Sequence, residues 1–203
     1  MGGFIGNFTE AWGCPSRVWN WTETCYSIWM VFDPVYGYPI EIVIAYFAAG
    51  FWIGKVACVL FEPQIEETLD FYQNKGYKEK MNVKLAIAII IDVVGTTILL
   101  IEPLYTQPML LTMVGTNIFL TLPKETMMVV LPFAFVTGCA GFFFENFACG
   151  IIPGFSVWVY DPNAFVNAKI PIYMIGVAPH IAFIAYAGTG LVLFGSVFAF
   201  NWK

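Results

Sequence analysis

Four apolar runs of bilayer-spanning length dominate this sequence: residues 38–61, 83–103, 127–152 and 171–198. A helix needs about twenty largely apolar residues to cross a bilayer's hydrocarbon core. A small soluble fold could not hide four such runs, because a chain of this size still exposes much of its surface. Of the residues, 59% are hydrophobic and only 11% charged, against roughly a quarter charged in soluble domains. The expectation is therefore an all-α polytopic transmembrane helical bundle. Two shorter runs, 109–122 between Pro108 and Pro123 and the opening 2–14, bring the expected total to about six spans. The 18% aromatic content suits interface belts, where Trp and Tyr keep one end wet.

Basic residues set the expected orientation. Lys75, Lys78, Lys80 and Lys84 cluster between the second and third runs, so the positive-inside rule places loop 62–82 on the cytoplasmic side. Alternation then puts Lys124 and the C-terminal Lys203 inside too, and loops 15–37 and 153–170 outside. Within loop 62–82, Ile65, Leu69 and Tyr72 fall at helical spacing beside Glu66, Glu67 and Asp70. That pattern fits an amphipathic interfacial helix, and equally a solvated connector. The net charge of −5 and the lack of a Lys/Arg stripe argue against nucleic acid as a partner. Residues 1–13 lack the basic start and small-residue cleavage site of a secretory signal.

The two ends of the chain carry similar phrases. Glu10-Ala-Trp-Gly-Cys14 resembles Glu145-Asn-Phe-Ala-Cys149, and Ser27-Ile-Trp29-Met-Val-Phe-Asp-Pro34 resembles Ser156-Val-Trp158-Val-Tyr160-Asp-Pro162. Each leads to a Pro-Ile step, Pro39-Ile40 or Pro171-Ile172, that opens an apolar run. Both copies cross in the same direction, which predicts a parallel duplication about an axis along the membrane normal. The expected organisation is a single transmembrane domain over 1–203. Repeat one covers about 1–61, the inside loop 62–82, connecting helices 83–122, and repeat two about 127–199.

Ionisable groups inside spans are costly and mark functional sites by default. Glu10, Glu41, Asp92 and Glu145 are the carboxylates in or at the ends of runs. Glu145 is the first candidate: Phe142, Phe143, Phe144 and Phe147 surround it in sequence, and an apolar setting keeps a carboxyl protonated. The competing reading is a protonated glutamate that only hydrogen-bonds between helices. A single histidine, His180, makes a haem or copper centre improbable and reads as a helix-packing residue, so no metal is expected. No CxxC occurs among the five cysteines. Cys14 and Cys25, at the ends of an outside loop, could pair in an oxidising compartment. Gly-rich phosphate loops, Ser/His/Asp triads and HExxH are all absent from the sequence.

Residues 145–173 resemble the signature of the membrane lycopene cyclases of the small-subunit type. In that family, duplicated helical units lead from an acidic helix through a Gly-x-Trp-x-Tyr-x-Pro loop to Pro-x-Glu-Glu. Here the loop reads Phe155-Ser-Val-Trp158-Val-Tyr160-Asp-Pro162, and the helix entry is Pro171-Ile172. The departures are specific. Glu41 alone stands for the paired glutamates in the first copy, Tyr173 and Met174 replace them in the second, and Glu145 stands where the family carries Asp.

The resemblance implies an intramembrane lipid or isoprenoid pocket, carotenoid or membrane lipid as partner, and proton-initiated cyclisation or hydration of a polyene. Glu145 would be the general acid. Glu41, Glu10 and Asp92 would position it or take back the proton. Phe143, Phe147, Trp29, Trp158 and Tyr160 would line the substrate and stabilise a cation. No diffusible cofactor is expected. The alternative is a non-catalytic subunit of a larger membrane complex, docking through small residues such as Ala45, Ala48, Ala49 and Gly50. A third reading, an ion or proton carrier using Asp92 and Glu145, lacks broken helix pairs.

Overall fold

The computed structural model describes residues 2–13, 18–21, 30–31, 38–74, 81–150, 156 and 158–200. Among them the chain is predominantly helical. In order come α1 (Gly2–Gly13), the short strands β1 (Trp19–Trp21), β2 (Met30–Val31) and β3 (Tyr38–Pro39), then α2 (Ile40–Leu60) and α3 (Glu62–Asn74). α4 (Met81–Ile101), a 3-10 turn at Pro103–Tyr105, α5 (Thr106–Thr121) and α6 (Lys124–Ala148) follow. The chain then passes through β4 (Trp158–Tyr160), the one-turn α7 (Asn163–Val166), β5 (Met174–Ile175) and β6 (Ala178–Pro179) into α8 (His180–Phe200).

Among the described residues, four helices are long and apolar enough to cross a membrane: α2, α4, α6 and α8. Their apolar side chains point outward as well as inward, with Phe51, Trp52, Leu100 and Phe135 all exposed. A soluble helix would turn a polar face there. α1 has 12 residues and α5 has 16. At the helical rise they reach about 18 and 24 Å, short of a ~30 Å hydrocarbon core. Length and composition thus support four crossings.

One expected boundary is corrected. Residues 171–179 do not open the last long helix; they form the β5–β6 hairpin, and α8 starts at His180. Ile175 pairs with Ala178 across a two-residue turn whose first residue, Gly176, has φ 71°, the conformation such hairpin turns demand of glycine. Met174 faces Pro179, which has no N–H to donate, and the flanking residues close the ladder instead. The His180 N–H donates to the Tyr173 carbonyl at 2.8 Å, and the Tyr173 N–H donates to His180 Nδ1 at 3.0 Å. Hydropathy alone could not show this break, because the hairpin is as apolar as the helix after it.

The described chain divides into two units, Met1–Phe51 with Ala140–Phe183, and Trp52–Cys139 with Ile184–Lys203. In the second, Ala57, Ile65, Leu122, Val130, Val197 and Phe198 form the core, with Phe61 edge-on to Phe133 at 4.8 Å. α3 is helical and amphipathic, as its spacing predicts. Ile65 joins the core, while Glu66, Glu67 and Asp70 face outward. Thr68 and Thr126, both fully buried, share a 2.8 Å hydroxyl hydrogen bond. Lys84 Nζ donates to the Leu122 carbonyl at the C-terminus of α5 (2.7 Å), where a cation also complements the helix dipole.

Candidate functional site: two caged glutamates

The first unit gathers two buried carboxylates beside one small antiparallel strand pair. α1 carries Glu10 and α6 carries Glu145, and they are 4% and 7% exposed. β1 pairs with β4 in the register Trp19↔Tyr160, Asn20↔Val159, Trp21↔Trp158. Side chains two apart on a strand share a face, so Trp19 and Trp21 project together, as do Trp158 and Tyr160. Each strand serves its own glutamate. Trp19 Nε1 and Trp21 Nε1 donate to Glu10 Oε2 at 3.2 and 3.3 Å. Trp158 Nε1 and the Tyr160 hydroxyl donate to Glu145 Oε2 at 2.9 and 3.0 Å.

The register gives this arrangement a local two-fold axis through the Asn20–Val159 pair. Rotation about it exchanges Trp19 with Trp158 and Trp21 with Tyr160, the very residues that serve the two glutamates. Rings from opposite strands also meet, Trp19 edge-on to Tyr160 at 5.9 Å and Trp21 against Trp158 at 5.1 Å. Phe144 adds a further ring 5.8 Å from Trp158.

The two cages draw on different donors. Glu10 has a donor on each: the indoles on Oε2 and the Tyr46 hydroxyl of α2 on Oε1 at 2.9 Å. Tyr46 reaches it because Gly6, one helical turn before Glu10, has no side chain; a Cβ there would collide with the Tyr46 ring. At Glu145 the indole, the phenol and the Cys149 thiol (3.7 Å) all converge on Oε2.

α6 ends directly after the site. Gly150 takes φ 93°, and Cys149 and Gly150 donate back to the Glu145 and Phe147 carbonyls, a glycine-terminated helix end. Next to Glu145, Asn146 is buried and ties two elements together. Its Nδ2 donates to the Phe142 carbonyl at 3.1 Å, and its Oδ1 accepts the Val177 N–H of the hairpin turn at 2.9 Å.

Burial, and then the neighbouring Glu145 carboxylate, push the Cys149 thiol far above its ordinary range. Tyr160 is raised by burial first, then by Glu145, Cys149 and Glu10, so its phenol stays a proton donor well past its usual titration range. Alkylating reagents attack the thiolate. Cys149 should therefore resist maleimide at about pH 8, and Glu145→Gln, which removes the charge but keeps an acceptor oxygen, should speed its labelling. Peptide mapping measures this; equal inertness in both proteins would show that the charge of Glu145 contributes nothing.

The other expected site residues fall as follows. Phe143 is 73% exposed and Phe147 also faces outward, since neighbours two residues away on a helix leave by other faces. Trp158 and Tyr160 of β4 lie against the Glu145 carboxyl. Glu41 is exposed in the first turn of α2. Asp92 belongs to the second unit, where its Oδ1 accepts from Asn117 Nδ2 at 2.9 Å. Trp29, Cys14 and Cys25 lie outside the described residues. No group of three or more His, Cys, Asp or Glu that could hold a metal ion occurs among the described residues.

Three residues of the cages escaped the reading of the sequence: Trp19, Trp21 and Tyr46. Signals for them exist. Trp19-Asn-Trp21 and Trp158-Val-Tyr160 share an aromatic-x-aromatic pattern, while Ile44-Ala-Tyr46 recurs as Ile184-Ala-Tyr186. Gly3, Gly6, Phe8, Glu10 and Cys14 also recur, at identical spacing, as Gly138, Gly141, Phe143, Glu145 and Cys149. β3 ends at Pro39 and β6 at Pro179, each directly before a long helix. Comparison with models of known protein families, with curated proteins and with solved structures finds no match to this chain.

Proposed function

We propose that this is a multi-pass membrane protein built by parallel duplication, whose paired glutamates serve proton-initiated chemistry on an isoprenoid such as a carotenoid polyene. The observation that carries the reading is the pair of buried carboxylates, each held by the aromatic donors of its own strand. Such sites work by setting two acids in different surroundings, so that one gives a proton and the other accepts it. Glu145 is the acid and delivers its proton to an alkene carbon at the end of the polyene. The tertiary carbocation that results lies near aromatic faces, which attract cations. Glu10, with donors on both oxygens, has the arrangement of an anion and takes the proton lost when the ring closes or water adds.

The resemblance to the small-subunit membrane lycopene cyclases supports the same chemistry, as do the recurring Gly-x-x-Gly-x-Phe-x-Glu-x-x-x-Cys patterns of the two halves. In this reading α1 and α5 are shorter membrane segments that bring the total to about six beside the four long helices. Loop 62–82 and the C-terminus face the cytoplasm. The partners are membrane lipids and the polyene itself.

The test is to express wild type and Glu145→Gln in a carotenoid-producing host, extract them in mild detergent, and read bound or converted polyene by chromatography. Wild type should yield a cyclised or hydrated product. Glu145→Gln, which keeps an acceptor oxygen for Trp158 and Tyr160 but has no acid proton, should lose it by at least about a hundredfold, the usual scale of general acid catalysis. Unchanged polyene in both proteins would overturn the reading. One observation favours a second reading, a non-catalytic subunit: Ala45, Ala48 and Ala49 are exposed along α2, where another helix could dock closely. That reading predicts colourless protein in a fixed ratio with another chain.

A further inference from the structure

We infer that the β5–β6 hairpin is a lipid-contacting element seated in the membrane interface, its partner being the headgroup and upper acyl layer of the bilayer. The inference rests on the membrane reading of α8 and goes beyond it, because the hairpin is no part of a span.

The depth of the hairpin follows from its bonding. α8 is one of the four helices able to cross a membrane, and His180 is its first residue. Tyr173 is tied to His180 by both backbone and ring nitrogen, at 2.8 and 3.0 Å, with the two rings 5.8 Å apart. Met174 lies opposite Pro179. β5 is thus fastened alongside the mouth of the span, and its turn lies within about 13 Å of His180 at the rise of a strand. That is the level of the polar layer, several ångströms thick on each side of the core.

The chemistry of the exposed side chains fits that depth. Tyr173 is 66% exposed and Ile175 56%, with Met174 also outward. In water, three adjoining exposed apolar residues on a tight turn would be a liability. At the interface, tyrosine has its favoured position and the aliphatic chains meet acyl carbon. The turn is also held from within: Asn146 accepts the Val177 N–H, and Asn146 adjoins Glu145. The hairpin is therefore a braced wedge, joined to the helix end that carries the caged acid.

Photolabelling of the full chain tests this. Wild-type protein is reconstituted in phosphatidylcholine vesicles doped with a phosphatidylcholine whose diazirine sits high on the acyl chain. It is irradiated, digested and mapped by mass spectrometry. Lipid adducts are expected on the peptide bearing Tyr173, Met174 and Ile175, and on the α4 peptide bearing Leu100. Ile175→Asp, a change at an exposed position, should lose the hairpin adducts and keep those of α4. Adducts on α4 with none on the hairpin would overturn this inference and leave the membrane reading intact. Adducts on neither would overturn both.

Discussion

Glu145→Ala should loosen the first unit markedly. The Trp158 indole and the Tyr160 hydroxyl both aim at Glu145 Oε2, and alanine leaves both without that acceptor. A buried donor deprived of its partner costs about 1–3 kcal/mol, so the two together cost roughly 2–6 kcal/mol; the lower half applies because Trp158 is only half-buried. Glu145→Gln supplies an amide oxygen in the same place and should cost far less. Thermal unfolding in detergent gives the ranking. Near-UV circular dichroism gives the cause, since the packed Trp21–Trp158 pair contributes signal only while β4 is held. Equal melting temperatures for the alanine and glutamine variants would show that the cage holds nothing in place.

In the second unit, Gly188→Val is expected to be the most damaging substitution. A Cβ at Gly188 would lie 2.8 Å from the Thr112 nitrogen and 3.0 Å from the Leu111 carbonyl carbon, and one at Gly115 would lie 2.9 Å from the Gly188 oxygen. α5 and α8 touch here backbone to backbone, the close approach small residues permit in membrane helices. Backbone atoms cannot swing aside, so the cost belongs at the upper end of the usual 1–3 kcal/mol for overpacking, about 3 kcal/mol or more. Gly54 is the control. A Cβ there meets nothing within 4 Å, so Gly54→Ala should leave the melting temperature unchanged or slightly raised. If Gly188→Val unfolds no earlier than Gly54→Ala, the close α5–α8 contact is wrong.

How much of this was legible beforehand differs between fold and site. Runs of apolar residues reveal α2, α4 and α6 directly, because a helix in lipid needs only length and apolarity. The same criterion misplaced the start of α8, since Tyr173, Met174 and Ile175 are as apolar as a helix would be and only the φ of Gly176 turns the chain back. Glu10 and Glu145 stood out because a carboxyl in an apolar run is rare. Trp19, Trp21 and Tyr46 did not, because aromatic residues are common in such a chain and nothing local says which of them face an acid. Phe143 and Phe147 adjoin Glu145 in the chain yet are exposed, because adjacency in sequence is not adjacency on a helix surface.

That the chain is helical, that several of its helices suit a bilayer, and that its costly groups are a few acids within apolar surroundings can all be read from the residues in order. Those properties are sums over local composition, and the solvent preference of each residue decides them. The antiparallel pairing of β1 with β4 is a matter of folding: its register lets four side chains on one face, two indoles for Glu10, an indole and a phenol for Glu145, satisfy two acids about a local two-fold. The reason is physical. A buried carboxyl must find donors, but where they come from depends on a pairing between segments well over a hundred residues apart in the chain, which no local pattern encodes.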